Sequence, residues 1–168
     1  MATLDILSGP DGPLTRLSVP LKGMQPVRSF YALPRFVKAV NDELPGWVTG
    51  RLEASQTPQE QFALVLRRWT GNRPRLEYQK HFNDLMPGTD EVWEIKTADL
   101  RFFGWVYRPC IFIAVVLGYA DWYKPPDRKE SYEDARKAVL KERESLNIDP
   151  NADGLKFTRG TFDALVGI

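Results

Sequence analysis

Three short runs of strand-forming residues, Glu91 to Lys96, Arg101 to Tyr107 and Cys110 to Leu117, follow one another with almost nothing between them. Thr97-Ala98-Asp99 separates the first two and Arg108-Pro109 the last two. Connections that short join antiparallel neighbours, whereas a parallel crossover needs a dozen residues or more. The spacing therefore predicts two tight hairpins in series. The third run is apolar almost throughout, as in a strand covered on both faces, so it is expected at the centre of a small sheet.

Such a sheet needs covering, and the rest of the chain supplies amphipathic helices. Leu33, Phe36, Val37, Val40 and Leu44 follow the spacing of one helical face, with Pro34 in the first turn and Pro45-Gly46 ending it. Thr57-Pro58-Gln59-Glu60 has the form of a capping box, opening a second helix whose apolar face is Phe62, Val65, Leu66 and Trp69. Gly71 is placed to take the left-handed conformation just past its end. After Lys124-Pro125-Pro126, the segment Asp127 to Glu130 can cap a third helix carrying Tyr132, Ala135, Val139 and Leu146. Residues 1–28 hold a strand candidate, Leu14 to Val19, among glycines and prolines. Residues 147–168 form an extension with breakers at Asp149-Pro150 and Gly154, and a short strand or helix between Leu155 and Leu165. The expected fold is α+β, in the order β-α-α-β-β-β-α, as one domain over residues 1–168.

A chain of 168 residues that is 43% hydrophobic can bury a core without disulfides or a structural metal. Cys110 is the single cysteine and His81 the single histidine, so neither a disulfide nor a zinc site can be assembled within the chain, and no metal or other cofactor is expected. The longest apolar stretch, Cys110 to Leu117, is far shorter than the roughly 20 residues a membrane helix needs. The N-terminus lacks the basic and apolar regions of a secretory signal, which makes the cytoplasm the default location. Net charge is +1, so attraction to nucleic acid has to come from local clusters.

The segment Glu91-Val-Trp-Glu-Ile-Lys96, then Leu100-Arg-Phe-Phe-Gly104, then Phe112 to Tyr119, resembles the RelE/HigB toxins, and most of all their HigB-like, phage-derived branch. The resemblance covers residues 84–146. It implies a RelE-like fold and a metal-independent, ribosome-dependent endoribonuclease that cleaves messenger RNA by attack of a 2′-hydroxyl on the neighbouring phosphate. That chemistry needs a proton acceptor, cations for the charge growing on phosphorus, and a donor for the leaving oxygen. The resemblance assigns Arg101 to phosphate or transition-state stabilisation. Lys96 would share that work, or act as the base if neighbouring cations lowered its pKa. Lys124, Arg128 and Lys129 fall in the family's basic loop, and Tyr132 matches a C-terminal tyrosine found in some members. The implied partners are messenger RNA on the ribosome and a cognate antitoxin, of helix-turn-helix type. The chain departs from the family directly after the central run, where Ala120-Asp121-Trp122-Tyr123 stands in place of paired lysines.

Each assignment has a plainer counterpart. Arg101 and Lys96 also read as strand-end charges pairing with Asp99 or Glu94, and Tyr132 as a core tyrosine. Arg67, Arg68, Arg73, Arg75 and Lys80, interleaved with Trp69 and Tyr78, can grip RNA through phosphate contacts and stacking, or can be a charged helix end and solvated loop. Trp122 is a further stacking candidate. His81 has the chemistry of a general base, although a lone loop histidine is more often incidental. Two other functions compete: a non-catalytic, prophage-derived interaction protein that keeps the toxin fold, and a ParE-like inhibitor of DNA gyrase.

Overall fold

In the computed structural model, which describes residues 4–21, 23, 25–50, 52–71, 76–77, 79–85, 92–125 and 129–147, ten main elements follow one another. They are α1 (Leu4–Leu7), β1 (Thr15–Leu17), β2 (Ser29–Ala32), α2 (Pro34–Lys38), α3 (Pro58–Thr70), β3 (Phe82–Asp84), β4 (Trp93–Lys96), β5 (Leu100–Arg108), β6 (Ile111–Tyr119) and α4 (Tyr132–Ser145). The six strands form one mixed sheet in the order β1-β2-β6-β5-β4-β3. The fold is thus α+β, but its element order differs from the expected β-α-α-β-β-β-α. Two short strands and one short helix are added, and each added strand owes its identity to a partner distant in the chain or to a stronger neighbour.

Both predicted hairpins are present. Lys96 pairs with Arg101 beside the first turn, and Arg108 with Ile111 across the second. The second turn is made by Pro109 and Cys110, and Cys110 takes φ 69° there, half-buried, instead of lying in the apolar strand. The apolar run extends through β6, which lies between β5 and a parallel partner, β2. Side chains alternate across a strand, so a strand that is buried nearly end to end needs cover on both faces. On one face Phe102, Val106, Phe112 and Ala114 pack with Phe36 of α2 and Val65, Leu66 and Trp69 of α3. On the other, Phe103, Trp105, Ile113 and Val115 pack with Leu7 of α1 and Ala135 and Val139 of α4. The result is helix, sheet, helix, with the sheet as the shared wall.

The helix ends follow side-chain chemistry. Thr57 and Glu60 make the reciprocal capping box: the Glu60 amide donates to Thr57 Oγ1 at 3.3 Å and the Thr57 amide to Glu60 Oε2 at 2.8 Å. At the far end Gly71 is extended, at φ −86°, rather than left-handed. Glycine is needed there for room, since a Cβ would stand 2.7 Å from the Arg67 carbonyl oxygen. The buried Arg28 guanidinium closes that terminus by donating to the Trp69 and Gly71 carbonyls, at 3.2 and 2.7 Å, where the helix dipole favours a cation. The third predicted helix, α4, is capped by Ser131, whose hydroxyl accepts from the Asp134 amide at 3.0 Å. Asp127, the expected start of that cap, lies outside the described residues, as does the tail from residue 148 onward. Among the described residues no helix is long and apolar enough to cross a membrane.

Candidate functional site

The end of the sheet where β4 turns into β5 is held against α3 by a buried polar network. Gln61, one turn into the helix, donates from Nε2 to Asp99 Oδ2 at 2.7 Å, while its Oε1 accepts from Thr97 Oγ1 at 2.5 Å and from the Asp99 amide at 3.0 Å. Asp99 also accepts from the Gly50 amide at 3.0 Å, tying in the segment before α3. A short turn between strands is thereby fixed at both a helix and a loop, and networks satisfied in this way rigidify what they join.

Beside this clamp lies a cleft of about 490 Å³. Leu52, Ala54, Ser55 and Gln56 form one side, Gln61, Leu64 and Arg68 of α3 a second, and Lys80, His81, Lys96, Thr97, Ala98 and Arg101 the rest. Five of the lining residues are basic and none is acidic, although Lys80 and Arg101 have carboxylate partners outside the lining, Glu77 and Glu94. In a chain whose net charge is only +1, that is a local concentration of one sign, and a low-dielectric concavity sharpens its field. Lys80 stands at the rim and shares its charge with Glu77, at 3.0 Å between exposed side chains, a pairing worth little in water. Lys96, half-buried, pairs with no carboxylate among the described residues.

His81 sits inside the cleft with its side chain 17% exposed. Arg68 NH1 lies 3.0 Å from His81 Nε2, and the backbone amide of Glu77 donates to Nδ1 at 3.2 Å. Burial and, after it, the charge of Arg68 push the imidazole pKa below its ordinary 6.5, with Lys80 and Lys96 acting in the same direction and Glu77 against it. The surroundings thus favour the neutral ring.

Arg101 borders the same cleft but directs its guanidinium into the protein. NH1 donates to the carbonyls of Thr97 and Leu100, at 2.7 and 2.8 Å, bracing the hairpin turn. Nε lies 3.1 Å from Glu94 Oε1 between side chains only 7% and 6% exposed, and donates to the Tyr132 hydroxyl at 3.4 Å. Glu94 accepts from Asn83 through its other oxygen, at 3.1 Å, while Oε1 receives no aligned hydrogen bond. Tyr132 in turn packs against Phe103 and Tyr123, ring centroids 5.8 and 5.2 Å away. The pairing of Arg101 with Glu94 that its strand-end position suggested is present, but buried instead of solvated.

The structure therefore brings together Lys80, Lys96 and Arg101 around one cleft, with Tyr132 touching Arg101 from the far face of the sheet. Lys124, Lys129 and Trp122 do not line it. Trp122 lies in the 3-10 turn after β6, edge-on to Trp47 at 5.3 Å and to Tyr119 at 6.0 Å, and its carbonyl accepts from the Lys129 amide at 2.8 Å. Arg73, Arg75 and Arg128 lie outside the described residues. Two contributors were undervalued in the sequence: Arg68, one member of a diffuse basic stretch, and His81, which reads as incidental until the turn before β3 brings it against α3.

No protein family, curated protein or solved structure matches this chain.

Proposed function

We propose that the chain is a metal-independent endoribonuclease of the RelE/HigB type, the toxin of a toxin and antitoxin pair, acting on messenger RNA at the ribosome. The observation that supports it is the acid-free cleft lined by Arg68, Lys80, His81, Lys96 and Arg101, adjoining the hairpin that carries the resemblance. RNA brings one negative charge per phosphate, and a concavity that presents only cations and neutral groups suits a bent strand entering it. In this reading Lys96 and Arg68 hold the scissile phosphate. Arg101 is a positioning residue that shapes the turn bearing Lys96. A helix-turn-helix antitoxin would silence the activity.

One observation favours a second reading, a non-catalytic interaction protein retaining the toxin fold. The arginine that the resemblance makes catalytic is spent on a buried carboxylate and two backbone carbonyls. The two readings separate on induction of the wild-type chain and of Lys96→Ala in a bacterial host, with growth followed and messenger-RNA 5′ ends mapped. Growth arrest with new in-frame ends is expected from the wild type. The variant should lower cleavage about 10²-fold, as removal of one transition-state donor does elsewhere. Normal growth without new ends, from protein recovered folded, leaves the interaction protein.

A further inference from the structure

We propose that the base of this cleft is an oxyanion site, built for a phosphate group, in which His81 acts as a neutral Nε2–H donor beside Arg68 rather than as a proton acceptor. The turn leading into β3 fixes the tautomer. The Glu77 carbonyl accepts from the amides of His81 and Phe82, at 2.9 and 3.2 Å, the Gln79 amide donates to the Phe82 carbonyl at 2.8 Å, and Gln79 takes φ 65° to close the loop. This fold-back holds the Glu77 amide against the imidazole, where it donates to Nδ1. A neutral imidazole has a single acceptor nitrogen. With Nδ1 accepting, the proton belongs on Nε2.

Nε2 then confronts another donor, because Arg68 NH1, 3.0 Å away, is protonated at every accessible pH. The opposite tautomer only moves the conflict, setting Nδ1–H against a backbone N–H that cannot turn away, with Glu77 Oε1 a distant 4.0 Å from the nitrogen. Arg68 Nε is also buried without a hydrogen-bond partner. Lys80 and Lys96 add positive charge from the rim; Lys80 is partly answered by Glu77 at 3.0 Å, and no carboxylate is among the residues that line the cleft. The groups facing the imidazole are thus Arg68 from α3, Glu77 and Lys80 from its own turn, and Lys96 from β4. Converging donors with too few acceptors are matched by a ligand that is all acceptor, and the guanidinium fork fits phosphate oxygens. The oxyanion site stands on this geometry alone. Its identification with an RNA phosphate rests on the function proposed above.

His81 is the only histidine of the chain, so a long-range nitrogen–proton correlation spectrum of uniformly labelled protein contains one imidazole. The expected spectrum shows Nδ1 as the acceptor and Nε2 protonated at pH 7. Inorganic phosphate should shift Nε2 and raise the His81 pKa, because a bound anion favours the charged ring. Arg68→Gln and Lys96→Ala, each checked for folding by circular dichroism, should each weaken phosphate binding about tenfold. An Nδ1–H tautomer, or an imidazole indifferent to phosphate in the folded wild type, overturns the site. A 2′-O-methyl oligoribonucleotide, which cannot be cleaved, separates the two claims. Competition with phosphate for the same Nε2 shift supports both, whereas phosphate binding without competition keeps the oxyanion site and overturns its identification with an RNA phosphate.

Discussion

At the scale of single residues, the buried contact between Arg101 and Glu94 carries the sharpest consequence for stability. Two charges with side chains 7% and 6% exposed have given up most of their hydration and depend on each other. Removing one partner strands the other, so Glu94→Ala should lose about 3–5 kcal/mol in urea unfolding, whereas the double variant Glu94→Leu, Arg101→Met should lose much less. His81 gives a second, pH-dependent effect. Its pKa is depressed in the folded chain, so below 6.5 the unfolded chain takes up a proton before the folded one does. Its contribution to stability is complete above pH 6.5 and fades as pH falls toward the folded pKa. Comparing the urea midpoints of wild type and His81→Gln across pH 5 to 8 should show a gap that narrows on acidification. The charges at these positions were legible in the sequence, but their relations were not. A basic residue next to a hairpin turn is visible in a string of letters. Whether it meets solvent, a carboxylate or an imidazole depends on which side of the sheet the strand presents it to, and on a turn held by backbone hydrogen bonds.

At the scale of elements, the sequence was informative wherever one segment carries its own signal. The capping box at Thr57, the apolar face of α3 and the meander from β4 to β6 are local patterns, and they appear where their spacing put them. Thr57→Ala should cost about 1 kcal/mol of stability in thermal or urea melts, the usual loss on removing such a cap. The strands without a signal of their own, β2 and β3, are four and three residues long. Ser29–Ala32 runs straight into the Leu33-Pro34 helix start, and Phe82–Asp84 ends in two residues with poor strand propensity, so only pairing makes them strands. The same dependence on context appears at Gly104, which sits at a register shift between β5 and β6. A Cβ there would come within 2.1 Å of the Ile113 carbonyl oxygen, a backbone atom with little freedom to retreat. Gly104→Ala should therefore destabilise by about 3 kcal/mol or fail to fold, at the upper end for overpacking. Glycine in a strand can mark a close backbone approach, but the sequence does not say what approaches.

At the scale of the whole molecule, the N-terminal segment is part of the sheet and not an appendage. β1 pairs with β2 along its outer edge, and Leu7 and Leu14 belong to the core on the α4 side. A chain shortened to begin at Val27 should unfold at lower urea and self-associate in light scattering, because β2 would then present an open edge next to the apolar centre of the sheet. The parallel pairing of β2 with β6 also sets an order of events during synthesis. Ser29 leaves the ribosome early, yet its partner, Ile111, emerges only after both helices of the first face and most of the hairpin series have been made. Until β6 arrives, β1 and β2 form a two-stranded ribbon that can lie on α2 and α3 but lacks the central strand joining it to β5, and a ribbon that small is marginal in water. The sheet that carries Lys96 is therefore complete only once β6 has joined β5 to β2. If the chain is the toxin proposed above, this order would keep it harmless to the ribosome translating it for most of its synthesis.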